Sequence, residues 1–233
     1  FRKMELRIRK EIIRLDKEID INKRGKYIYR KEFLDLYKNK EDVIVLDARN
    51  DYESDVGKFK NAITPKIQTF REFPKVKEML KGKENEKIVM YCTGGIRCEK
   101  ASAYLIQNGF NDVSQLEGGI ITFCHEYQNT IWQGKCVVFD NRIISNVDDK
   151  NPPLTNCTFC KISCDLYRNC KNAECNYFMA VCDNCQEEHK GCCSKECYQK
   201  YNEFLTKKME MNRGKKNIIN LLPNSQNPAN HNH

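Results

Sequence analysis

A chain of 233 residues with formal net charge +8 and fourteen cysteines has room for one sizeable α/β domain and a smaller module. No stretch approaches the roughly 20 apolar residues of a membrane span, so nothing here reads as a helical membrane segment. Paired CxxC motifs favour a reducing, cytoplasmic compartment over a secreted, disulfide-built one.

The chain opens at Phe1, and residues 1–20 read as the end of a domain whose earlier part lies upstream. Met4, Leu6 and Ile8 alternate there with Glu5, Arg7 and Arg9, as in a half-buried strand. Residues 1–40 carry 14 Lys/Arg against 7 Asp/Glu, an excess that suits a polyanion such as RNA, although charge alone reads first as a solvated basic face. A polar, Gly-containing connector over 21–30 leads to a short helix at 31–38, with Phe33, Leu34 and Tyr37 on one face. Val43–Leu46, ending in Asp47, is a continuous apolar run expected of a strand covered on both faces of a parallel sheet, and Ile88–Tyr91 is a second. Pro65 and Pro74 mark a loop between them, before helix-like residues 76–80. A helical pattern at 99–106 stops at Asn108-Gly109. A short strand at 113–116 then runs through Gly118-Gly119 into a helix around 120–127.

This alternation predicts an α/β domain over 28–143, an open parallel sheet flanked by helices. Residues 146–156, polar with two prolines, read as a linker. A cysteine-rich module follows at 157–200, and 201–233 as a basic, polar, flexible tail.

Cys92-Thr93-Gly94-Gly95-Ile96-Arg97-Cys98 lies between the second apolar run and a helix. A cysteine on such a turn is surrounded by backbone N–H groups at a helix N-terminus, which lowers a thiol pKa and stabilises anions. Arg97 closes the far side of the cradle, so Cys92 and Arg97 are the candidate catalytic residues. Cys98 reads either as a resolving thiol or as a passive one. Asp47 and Arg49 read as a structural ion pair, Cys124 and His125 as packing, and Trp132 as packing rather than base stacking.

Four residues between cysteine and arginine, one fewer than in tyrosine-class phosphatases, resemble the rhodanese family, whose cysteine carries a persulfide sulfur. The segments Asp47-Ala48-Arg49-Asn50-Asp51-Tyr52-Glu53, Val56-Gly57-Lys58-Phe59 and Asn61-Ala62-Ile63 extend that resemblance, with Lys58 where many rhodaneses have His. Three further segments, Tyr91–Ser102, Glu117-Gly118-Gly119-Ile120 and Gly134-Lys135-Cys136-Val137-Val138-Phe139-Asp140, together with the cysteine tail, resemble the rhodanese-domain tRNA uridine(34) hydroxylase family, TrhO, over about residues 1–200. That resemblance implies a ferredoxin-like domain before the rhodanese domain, of which this chain keeps only the final strand. It also implies oxygen-dependent 5-hydroxylation of the wobble uridine in the tRNA anticodon loop, with O2 as co-substrate and Cys92 as the persulfide-forming nucleophile. The residues assign no electron donor: there is no dinucleotide fingerprint, and the four histidines suggest no iron-binding triad.

Ten cysteines lie between Cys157 and Cys197. A segment so short needs a cross-link to fold, and in a reducing cell metal is favoured over disulfides. Two zinc ions would take eight thiolates: Cys157, Cys160, Cys182 and Cys185 for one, Cys170, Cys175, Cys193 and Cys197 for the other. Three functions stay open on this reading: a tRNA uridine hydroxylase, a rhodanese-type sulfurtransferase, or a zinc-stabilised RNA- or protein-binding module with a scaffold rhodanese domain.

Overall fold

Four parallel strands build the central sheet: β1 (Lys26–Ile28), β2 (Ile44–Asp47), β4 (Lys87–Tyr91) and β5 (Asp112–Leu116), in the order β1-β5-β4-β2. The computed structural model describes Ile8 and residues 11–139, 143–145, 147 and 152–221, with side chains as far as Met211. Strand β4 is the centre, pairing Ile88 with Ile44 of β2 and with Val113 of β5. Its two-residue alternation feeds two apolar layers, one on each sheet face. Ile88 and Met90 join Leu46, Phe73, Val76, Ala101 and Leu105 in one layer. Val89 and Tyr91 join Val45, Phe33, Leu36, Phe59, Ile120 and Phe123 in the other. Burial on both faces is why β2 and β4 are written as unbroken apolar runs.

The helices flanking the sheet are α1 (Arg30–Lys38), α2 (Asp51–Val56), α3 (Lys75–Met79), α4 (Ile96–Gln107) and α5 (Gly119–Glu126). A small antiparallel ribbon of β3 (Gly57–Phe59) and β6 (Trp132–Gly134) closes one side. A second ribbon pairs β7 (Cys136–Val137) with β8 (Ile144–Ser145).

Three expectations are corrected. The connector over 21–30 contains β1, an edge strand in which only Ile28 is buried, so no alternation betrays it. Residues 11–20 do not stand apart as the end of another domain. Leu15 is fully buried in the layer beneath α4, with Ile13 and Ile19 packed against it. Lys100 Nζ donates to the Ile13 carbonyl at 2.7 Å and to Glu11 Oε2 at 2.8 Å. The strand expected from Met4 lies outside the described residues except for Ile8, which is exposed.

Residues 156–233 form a second compact unit, the first being 1–155. A hairpin of β9 (Tyr167–Asn169) and β10 (Phe178–Ala180) leads to α6 (Asp183–Glu188) and α7 (Lys195–Leu221). The third correction is here: the chain stays helical from 201 to 221, where a flexible tail was expected. Lys, Glu, Met and Leu, good helix formers, alternate there with Asn and Gly214, which are poor ones, and no proline interrupts residues 201–221. Half-buried Tyr201 and Leu205 lie four apart on one face. Residues 222–233 lie outside the described residues.

Candidate active site and cysteine clusters

Cys92 follows the last residue of β4, and its side chain is buried. Gly94 and Gly95 make the turn, Gly95 as N-cap of α4 with φ +90°, a left-handed conformation costly for any residue with a Cβ. Its N–H donates to Cys92 Sγ at 3.2 Å. From beneath, a second glycine pair holds the loop. Gly119, at φ +63°, lets the start of α5 approach so closely that an added Cβ would sit 2.5 Å from the Cys92 carbonyl oxygen. The N–H groups of Ile120 and Ile121 donate to the carbonyls of Cys92 and Thr93 at 3.0 and 3.2 Å. Two glycine turns separated by α4 and β5 thus form one loop clamp.

The Cys92 thiol is lowered to about 6. The largest cause is a hydrogen bond from the Cys98 thiol, followed by the charge of Arg97 and the N–H groups of residues 98 and 97, all working against burial. Cys98, fully buried in the first turn of α4, is itself pushed well up, first by burial and then by donating to Cys92. The pair therefore consists of a thiolate and a neutral thiol that serves it. Burial also pushes Cys136 up to about 12, with Arg49 partly opposing.

Arg97 is held from its far side by Glu53, a residue to which the sequence reading gave no role. Arg97 Nη1 and Nη2 donate to the two Glu53 oxygens at 2.5 and 2.8 Å, and Nη2 also donates to Thr93 Oγ1 at 3.2 Å. Glu53 is fully buried and accepts from the Asn50 N–H at 3.2 Å at the start of α2. The one sequence signal was Asn50-x-x-Glu53, a capping spacing that announces a helix start and is silent about an arginine 44 positions on. Arg97 therefore presents a largely compensated charge, and its guanidinium carbon lies 5.6 Å from the ring centroid of Phe139.

The expected pair Asp47–Arg49 is wholly buried at 2.7 Å. Arg49 also donates to the Gly57 carbonyl at 2.6 Å, tying β2 to the ribbon. Trp132 is buried and donates to the Gly134 carbonyl at 2.9 Å, so it packs. Cys124 packs as expected, whereas His125 is exposed and does not.

In the second unit, the sulfurs of Cys157, Cys160, Cys182 and Cys185 lie within 4.8 Å of one another, as do those of Cys170, Cys175, Cys193 and Cys197, and each group could hold a metal ion. Tetrahedral thiolate coordination at a zinc–sulfur distance of about 2.3 Å puts sulfurs about 3.8 Å apart. Cys160–Cys182, Cys175–Cys193 and Cys193–Cys197 are each 3.6 Å apart. The two sites repeat one detail: the Cys182 N–H points to Cys157 Sγ and the Cys193 N–H to Cys170 Sγ, both at 3.5 Å. The ligand pairs alternate along the chain, so each group encloses a pair belonging to the other. Cys164 and Cys192 are buried outside both groups.

The chain matches the family described as rhodanese-like domain over residues 30–126 and that described as rhodanase C-terminal over residues 133–198. A Chlamydia caviae protein named tRNA uridine(34) hydroxylase is 41% identical over 206 residues, covering 85% of this chain and 62% of that protein. A Leptospira interrogans protein of the same name is 42% identical over 225 residues, covering 93% and 60%. The chain thus spans about three fifths of the length of these curated relatives. Among solved structures, a rhodanese-related protein from Thermoplasma volcanium is 29% identical, with a TM-score of 0.37, covering 43% of this chain and 92% of that one. Among the described residues no helix is long and apolar enough to cross a membrane.

Proposed function

We propose, for a chain that belongs to the family of rhodanese-domain proteins named tRNA uridine(34) hydroxylase, that it hydroxylates C5 of the wobble uridine of tRNA in the cytoplasm, with O2 as co-substrate and an external two-electron donor, one oxygen atom entering at C5 and the other leaving as water. The observation that carries the reading is the 41–42% identity to proteins of that name over most of this chain, and the Cys92 thiolate, lowered to about 6 inside a clamped strand-to-helix turn, supplies the nucleophile. A thiolate there attacks the sulfane sulfur of a donor. The new S–S bond forms as the donor's leaving group departs with the bonding electron pair, and the terminal sulfur is left among the loop N–H groups. Arg97, held by Glu53, supplies positive charge beside that sulfur. Uridine 34 lies in an anticodon loop, where extrusion of a base costs less than from a duplex.

The two cysteine groups would each hold one zinc ion. Four thiolates with no open position make a structural site rather than a catalytic one. The loop alone also supports plain sulfur transfer, because the cradle around Cys92 needs no RNA to load a persulfide.

Nucleoside mass spectrometry of tRNA separates the readings, using cells lacking this protein and the same cells complemented with wild type or Cys92→Ser. Loss of 5-hydroxyuridine derivatives, restored by wild type and not by Cys92→Ser, is the expected result. Loss of thiolated uridine instead would establish sulfur transfer. Unchanged nucleosides would leave a binding module with a scaffold rhodanese domain.

A further inference from the structure

Phe139 stands out beside the loop: its ring is 68% exposed, yet it lies over the guanidinium of Arg97. Tyr91, Phe59 and Trp132, by contrast, are sealed in the core. Arg97 spends its terminal nitrogens on Glu53 and Thr93, which leaves the face of the guanidinium plane for stacking. The beginning of the cysteine loop is open as well. Gly94 is exposed, with nothing among the described residues within 4 Å of where its Cβ would be, and Ile96, two positions on, is 57% exposed.

An anion-binding mouth would offer an uncompensated cation with free N–H donors. Here the cation is paired with a buried carboxylate and lies against an exposed aromatic ring. That chemistry suits a flat, uncharged heterocycle: a base laid on an aromatic face backed by a guanidinium. From this we infer that Phe139 is the platform on which the target pyrimidine stacks, with Arg97 beneath it as the second layer. The inference rests on the reading of the chain as a tRNA uridine enzyme and adds the residue that positions the base. Phe139 acts as a positioning residue, and the reaction stays with Cys92.

The test measures binding of the full chain to two anticodon stem–loop RNAs, identical except for uridine or an abasic site at the wobble position. Stacking of one base on an aromatic side chain corresponds to about tenfold in affinity. Wild type should therefore prefer the uridine RNA by about tenfold. Phe139→Ala should bind the two equally, and Phe139→Tyr should restore the preference. Thermal melting of both variants should match wild type, since the ring is mostly in solvent. A preference that survives Phe139→Ala overturns the inference. So does a wild type that binds the two RNAs equally, which would mean recognition through phosphates alone. Either result leaves the nucleoside analysis free to stand, so a failure of the platform and a failure of the hydroxylase reading are distinguishable.

Discussion

Cys92 shares its pocket with a second thiol, and the division of labour between them is open to direct measurement. With its thiol lowered to about 6, Cys92 is mostly thiolate above that pH and mostly thiol below it. Alkylation by iodoacetamide, followed by mass spectrometry of the Cys92 peptide, should be slow at pH 5 and level off above about pH 7. Cys98→Ala removes the largest cause of the lowering. A hydrogen bond to a charged group contributes roughly 1.5–3 kcal/mol, so the midpoint should rise by roughly 1–2 pH units. It should stay below that of an ordinary thiol, because the Gly95 N–H and Arg97 remain. An unchanged midpoint would make Cys98 a packing residue. At this scale the sequence was legible where chemistry is local. Cys92, its turn and its arginine fall within six positions, and Asp47–Arg49 within three. Glu53 and Phe139 were not legible as site residues, because only the folded sheet brings them to Arg97.

The elements around the loop show why two glycine pairs stand where they do. Gly95 turns the chain into α4, and Gly119 lets α5 come up under the Cys92 carbonyl. Gly119→Ala should therefore act on a loop 27 positions away. The left-handed φ alone costs about 1–2 kcal/mol with a Cβ present, and the new methyl would meet backbone oxygens of Cys92 and Thr93 at 2.5 and 2.8 Å. Neither oxygen can swing aside as a side chain would. The melting temperature should fall by several degrees, and the alkylation midpoint of Cys92 should move as its cradle is displaced. A variant that melts like wild type would mean that α5 shifts freely and the clamp is slack. Strands β2 and β4 were readable because both faces are buried and the sequence writes that as uninterrupted apolar residues. Edge strand β1 shows solvent two of its three side chains, and the β3–β6 ribbon is held by Arg49 and close glycine backbones rather than by an apolar pattern, so neither left a periodic trace. Helix α7 was misjudged for a related reason: its polar sequence has the composition of a solvated tail, and only the absence of proline over residues 201–221 hints otherwise.

At the scale of the whole chain, the two units fold by different means. Residues 1–155 have two apolar layers around a sheet, whereas the second unit has a core of Cys157, Cys164, Val181 and Cys185 with Phe159 and Cys182 against it. So small a core needs a cross-link to hold its fold. Metal binding can supply one, since structural zinc contributes on the order of 10–16 kcal/mol in small modules. Protein prepared under reducing conditions should contain about two equivalents of zinc. A strong chelator should unfold the second unit while Cys92 keeps its lowered alkylation midpoint. The spacing pairs the cysteines as the structure groups them, and the interleaving of the groups has a further consequence. The pair Cys170 and Cys175 lies in the chain between the two halves of the other group, and the pair Cys182 and Cys185 lies between Cys175 and Cys193. Neither group can close without ordering the segment that carries ligands of its neighbour. Cys160→Ser should accordingly lower zinc content to well under one equivalent, as measured by elemental analysis after dialysis against a weak chelator. Two independent sites would leave one full equivalent in that variant. Metal-free protein with the module's cysteines paired as disulfides would put disulfides in place of the proposed zinc as the cross-link, and the proposed cytoplasmic placement would fall with it.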